Sequence, residues 1–258
     1  MQATRRDTTI VGLGLAGVAL LAWADLLHMS RAMAETASMA AMGMGPAEHS
    51  WDSAELLMTF LMWAVMMVAM MVPSATPMIL AFATVNRNRA ARGGPFVATT
   101  IFLAGYVAVW TAFSLLASAA QWSLHSVALL NPETMTVAPW IGGGLLIAAG
   151  VFQLSPLKNR CLARCRSPFD FLTFEWREGS RGALTMGVRH GAFCTGCCWL
   201  LMLLLFVAGV MNLLWVAAIA AFVLVEKLLP RGRWLSYAGA VGCVAAGVLW
   251  LFGRFHLG

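Results

Sequence analysis

FVATTIFLAGYVAVWTAFSLLAS, residues 96–118, contains no charged residue from end to end. A helix rising about 1.5 Å per residue needs roughly 20 residues to cross a ~30 Å hydrocarbon core, and this stretch exceeds that length. It reads as a membrane-spanning helix. Outward from it lie six more apolar stretches, near 10–27, 54–73, 136–154, 191–209, 212–229 and 235–253. The whole chain agrees with them: of 258 residues, 60% are hydrophobic and only 11% charged, with a mean hydropathy of +0.79. Soluble domains carry roughly a quarter charged residues. The composition excludes a soluble enzyme and predicts an all-α, polytopic transmembrane bundle of about seven helices.

Basic residues near span ends stay on the cytoplasmic side. Arg5 and Arg6 begin one set of loops, which continues through Arg87, Arg89 and Arg92. The same set collects Lys158, Arg160, Arg164, Arg166, Arg177, Arg181 and Arg189, then Lys227, Arg231 and Arg233. Of the 17 Lys and Arg residues, only Arg31 and Arg254 fall on the other side. The expected topology has the N-terminus cytoplasmic and the C-terminus outside, in a bacterial cytoplasmic (inner) membrane. The net charge of +6 is thereby explained as contact with the inner leaflet of the lipid bilayer, without a nucleic-acid partner. The first apolar run is too long for an export signal and is expected to stay as a helix.

Residues 190–202, HGAFCTGCCWLLM, carry the most informative chemistry. On a helix, His190, Cys194, Cys197 and Cys198 share one face through their i, i+3 and i, i+4 spacings. Three thiols and an imidazole on one stripe point to soft-metal or redox chemistry. They cannot all serve one ion, because His190 and Cys198 lie roughly 12 Å apart along the axis. Ligands on one metal, with bonds of ~2.0–2.3 Å, stay within about 4 Å of each other. The site must borrow from elsewhere or consist of two stations. One source is Cys161 and Cys165, in a basic segment at about 155–189 that is expected to be cytoplasmic. Arg160, Arg164 and Arg166 surround that pair and would favour thiolate.

Methionine supplies another set of soft donors. Met62, Met66 and Met70 recur every fourth residue after Met58, a ladder of thioethers on one helical face that could pass a soft cation or simply pack. Pro73 and Pro77 are expected to interrupt that helix, leaving carbonyls around Ser74–Thr76 in need of partners. A second, outward set lies in a stretch read as a loop, 28–50: His28, Met29, Met33, Met39, Met42, Met44 and His49. Thioethers stay unprotonated at any pH and suit Cu(I). The chain accordingly divides into 1–50, the first helix with its Met/His-rich loop, and 51–258, the bundle proper. Glu226 reads as an interfacial ion pair with Lys227 near Arg231, and Cys243 as a small apolar core residue. Phosphate-binding loops, Ser-His-Asp patterns and CxxCH are all missing from the sequence.

Several blocks in order, MWAVMMVAMMVPSATP (62–77), QLSPLKNRCLARCRSP (153–168), HGAFCTGCCWLLM (190–202), GVMNLLW (209–215) and Glu226-Lys227, resemble a bacterial family of predicted metal-binding integral membrane proteins. That family is catalogued as domain of unknown function 2182. The resemblance covers roughly 51–230 and implies a metal-binding membrane protein without an established reaction. Together, residues and resemblance predict a copper-handling protein, more a carrier than an enzyme. Cu(I) is the expected metal and zinc the alternative, with a metallochaperone or membrane-complex partner and possible homo-oligomers. The rival is a thiol–disulfide relay through Cys194 and Cys197.

Overall fold

A computed structural model describes residues 2–42, 53–131, 135–229 and 233–253. Among the described residues ten helices run in order: α1 (Gln2–Ala41), α2 (Ser53–Ala90), α3 (Thr99–Ser126), α4 (Pro139–Gln153), α5 (Pro156–Arg166), α6 (Pro168–Glu175), α7 (Gly179–Leu203), α8 (Leu205–Ala208), α9 (Leu213–Leu228) and α10 (Arg233–Leu251). The described residues contain no strand beyond one isolated bridge, Leu130 to Val137. The fold is all-α, as the composition demands.

Helices long and apolar enough to cross a membrane are α1, α2, α3, α10, and α7 continued through α8 as Gly179–Ala208. The two remaining expected spans exist as α4 and α9, but with 15 and 16 residues they reach only about 23 Å and 24 Å. The chain completes α4 differently from the rest: a break at Leu154 and Ser155 turns it by 64° into the polar helix α5. Ser155 caps α5 by accepting from the Lys158 amide, with Pro156 in its first turn.

Two expectations are corrected here. The stretch 28–50 is not a loop throughout, because α1 continues to Ala41 and carries His28, Met29, Met33 and Met39. Ala and Met are strong helix formers, and the first breakers in that stretch are Gly43, Gly45 and Pro46. Met44 and His49 lie outside the described residues. Nor do Pro73 and Pro77 interrupt α2, which passes through both. Proline removes the bond to the carbonyl four residues earlier. For Pro73 that carbonyl is Ala69, and Trp23 of α1 supplies the missing donor from its indole Nε1 at 3.2 Å. Ser74 and Thr76 hydroxyls donate to the Met71 and Val72 carbonyls at 2.9 and 3.0 Å. The Ala69 carbonyl freed by Pro73 is thus satisfied by a side chain, and the helix runs on through both prolines.

Glycines set the closest helix pair. A Cβ on Gly187 of α7 would overlap the Phe102 carbonyl oxygen of α3, and one on Gly105 would overlap the Leu184 carbonyl. Gly191 meets Val109 and Tyr106 one turn further on. Small residues four apart let the two backbones touch, and the matched register makes α3 and α7 parallel. Two parallel neighbours must cross the membrane in the same direction, as the expected alternation requires of them. Gly187→Ala is expected to cost about 1–3 kcal/mol through overpacking, seen as a lower unfolding temperature in detergent. An unchanged midpoint would mean that the helices are not held this close.

Candidate metal centre

The parallel contact presents the α7 stripe to the bundle interior. His190, Cys194, Cys197 and Cys198 are all buried, at 2% exposure or less. Two helices supply the thiols. Cys165 of α5 interacts with the side chains of both Cys194 and Cys197, and Cys198 lies beside the same two on α7. α5 thus places a further thiol beside the α7 stripe. Cys161, one turn earlier on α5, stands outside this group of four: it is half-buried, and its sulfur would be 2.9 Å from a Cβ at Gly196.

Cys194 is the hub. Its Sγ lies 3.1 Å from the Tyr106 hydroxyl and 2.9 Å from the Lys227 ammonium of α9. The same ammonium donates to Ser74 Oγ at 2.9 Å, and the Tyr106 hydroxyl donates to the Met71 carbonyl at 3.1 Å. The Pro73–Pro77 segment of α2 is therefore wired to the thiols through two side chains. His190 occupies a separate level one turn away, stacked on Tyr106 with ring centroids 5.5 Å apart and meeting Phe171 edge-on at 5.6 Å. Its Nδ1 is buried without a hydrogen-bond partner. Buried polar atoms are rarely left unpaired, and an imidazole nitrogen facing no donor or acceptor could take a ligand in the tautomer that leaves its lone pair free.

This donor set, four thiols with an unpaired imidazole nitrogen close by, fits a soft cation such as Cu(I). Among the described residues no group of three or more His, Cys, Asp or Glu side chains already stands in a metal-holding arrangement. The reason is visible: Cys197 and Cys198 both donate to the Cys194 carbonyl at 3.0 Å. Metal uptake would turn these two side chains off their own helix.

The arginines do not act as the sequence suggests. Arg160 and Arg164 are exposed, and Arg166 donates from Nε and Nη2 to the Glu226 carbonyl at 2.9 and 2.6 Å. Lys227 supplies the charge beside the thiols instead. Nor is Glu226 an interfacial partner of Lys227. The two side chains point apart: Glu226 is 1% exposed and pairs with Lys158, itself 0% exposed, at 2.7 Å. Ser236 of α10 donates to Glu226 Oε1 at 2.6 Å, and the Lys158 ammonium also reaches the Gln153 side-chain oxygen. This ion pair fastens the α4–α5 corner to α9 and α10. Cys243 is only half-buried.

Met62, Met66 and Met70 are buried in the core, with Met67 and Met71, while Met58 is exposed. Of the outward set, His28, Met33, Met39 and Met42 are exposed and Met29 is half-buried. They are not brought to the thiols. Sequence reasoning passed over Lys227 and Tyr106 as site residues. A lysine inside the apolar run 212–229 was the available signal for the first, since intramembrane charge is functional by default. Tyr106 is one of two tyrosines in the chain and had no such mark.

A family model described as PpoB2, copper chaperone, matches residues 60–250. The matched range contains every thiol of the group, the methionine ladder and Lys227. No curated protein and no solved structure matches the chain.

Proposed function

This chain belongs to the PpoB2 copper chaperone family, and from that premise we propose that it is a multi-pass protein of the bacterial cytoplasmic membrane. In this reading it holds Cu(I) on Cys165, Cys194, Cys197 and Cys198 and passes it to a partner. The observation that carries the reading is the meeting of four thiols from α5 and α7 around Cys194, with the Lys227 ammonium in contact with that sulfur. Thiolates select Cu(I) by softness, and a cation beside them offsets the negative charge of a copper–thiolate unit. His190, with its unpaired Nδ1, is a further ligand one turn away. The resemblance to predicted metal-binding integral membrane proteins points the same way.

The methionines extend this proposal outward. Met29, Met33, Met39, Met42 and Met44, with His28 and His49, collect Cu(I) at the outer face, and Met62, Met66 and Met70 hand it inward. Thioether ligands outside and thiolates inside suit an oxidising exterior and a reducing cytosol. The lipid bilayer and a soluble or membrane-bound copper partner are the implied associates, with homo-oligomers possible on the lipid-facing helices.

Metal analysis of anaerobically purified protein tests the proposal, run beside a Cys194→Ser, Cys197→Ser, Cys198→Ser triple variant. Near-stoichiometric copper in the wild type, lost from the variant, is the expected result. Zinc in its place would assign a structural site. A metal-free protein whose Cys194 and Cys197 oxidise reversibly to a disulfide would assign the thiol–disulfide relay.

A further inference from the structure

Cys161 and Cys165 of α5, both half-buried, differ from the three α7 thiols in one respect: the route to water. Cys194, Cys197 and Cys198 are sealed at about 1% exposure. A bulky ligand or partner protein cannot reach them without opening the bundle. Cys161 is half-buried on α5, and α5 shows water its polar side through Asn159, Arg160 and Arg164. Its neighbours Lys158 and Leu162 face inward, so the helix lies at the boundary with one side wet and the other packed. Cys165 follows one turn later on the same face as Cys161 and already lies beside the buried Cys194 and Cys197 side chains.

The contact with α7 shows where the Cys161 sulfur points. It would stand 2.9 Å from a Cβ at Gly196, adjacent in sequence to Cys197, and the Cys161 and Cys197 sulfurs lie within electrostatic range. The missing side chain at Gly196 makes room for that approach. Any larger residue would push Cys161 away from α7.

We propose that Cys161 is the exchange thiol of the centre, through which Cu(I) enters or leaves the buried thiols by ligand substitution with a water-borne thiol or chelator. This rests on the copper reading above. In each step a Cu–S bond to Cys161 forms as the Cu–S bond to Cys197 breaks, and the proton leaving Cys161 passes to the departing Cys197 sulfur. Copper remains Cu(I) throughout, so no electrons are gained or lost. Donor atoms of the incoming ligand then replace Cys161, and Cys165, Cys194 and Cys198 in the same way, each Cu–S bond breaking as a bond to the incoming ligand forms and each freed thiolate taking a proton from the incoming thiol or from water. The basic residues Arg160 and Arg164 beside it favour an anionic donor or acceptor.

The test uses full-length protein in nanodiscs, loaded with Cu(I) under anaerobic conditions and mixed with excess bathocuproine disulfonate, an anionic Cu(I) chelator. Copper extraction is followed by absorbance. Cys161→Ser is expected to retain bound copper and to release it roughly tenfold more slowly or worse, since thiol exchange depends on access to an attacking sulfur. Gly196→Ala keeps every thiol but displaces the Cys161 sulfur, and is expected to slow release as well. Cys243→Ser, on α10 and outside the group of α5 and α7 thiols, should match the wild type. Release from Cys161→Ser at the wild-type rate would overturn the inference, as would loss of its bound copper, which would make Cys161 a holding ligand instead. A wild-type protein that takes up no copper would end the copper reading itself, and this inference with it.

Discussion

Glu226→Ala is expected to destabilise the protein by about 3–5 kcal/mol, because it leaves the fully buried Lys158 ammonium without its carboxylate. The loss reaches beyond one pair. Glu226 also accepts from Ser236, so the substitution unties α10 as well as the α4–α5 corner. Thermal unfolding in detergent measures the effect directly. The companion experiment separates charge from packing: the double variant Lys158→Met, Glu226→Leu removes both charges together. Buried pairs replaced by apolar residues of similar volume are often neutral or stabilising, so the double variant is expected to unfold well above the single one. If the two unfold alike, the pair is not what holds this corner.

Lys227→Leu is expected to weaken Cu(I) binding by roughly two to four orders of magnitude. A cation held by two or more thiolates forms a unit with net negative charge, and Lys227 touches the central sulfur at 2.9 Å. Stranding such a charge in the interior costs about 3–5 kcal/mol, at 1.36 kcal/mol per tenfold change. The metal-free protein should respond in the opposite sense. There Lys227 only donates hydrogen bonds to Ser74 and the Cys194 sulfur, so an apolar side chain in place of the buried ammonium is expected to leave stability unchanged or raised. Competition titration against a Cu(I) chelator, with unfolding of the metal-free protein alongside, reads both signs. Unaltered copper affinity would show that the ammonium serves only Ser74 and the packing of α9 against α2.

The placement of the thiols was half legible before the fold was known. Spacing put His190, Cys194, Cys197 and Cys198 on one face, and axial rise showed that one helix could not complete a site. Both statements are local geometry, fixed by 3.6 residues per turn. Which outside residue completes the set is not local. Cys161, Cys165 and the methionine ladder were equal candidates by sequence, and only the bend after α4 lays α5 against α7 so that Cys165 comes beside Cys194 and Cys197 while Cys161 packs against Gly196. Charge reasoning failed for the same cause. Arg160, Arg164 and Arg166 are near the cysteines in sequence, yet a helix turns two of them to the surface and ties the third to the Glu226 carbonyl. The proline segment misled differently, because its carbonyls found donors on α1 and in its own hydroxyls.

The sequence by itself determined the class, the number of apolar stretches, the basic asymmetry between the two sets of loops and the soft-donor chemistry. These depend on composition and on periods of a few residues, which hydrocarbon thickness and helical rise convert directly into structure. Tertiary structure alone decided that Glu226 pairs with Lys158 and Lys227 with Cys194, adjacent residues sent to opposite partners. It also decided that Tyr106 joins α2 to the thiols. A helix rotates successive side chains by about 100°, so neighbours in sequence face different helices. Which helices those are depends on where glycines let backbones touch and where a short span bends.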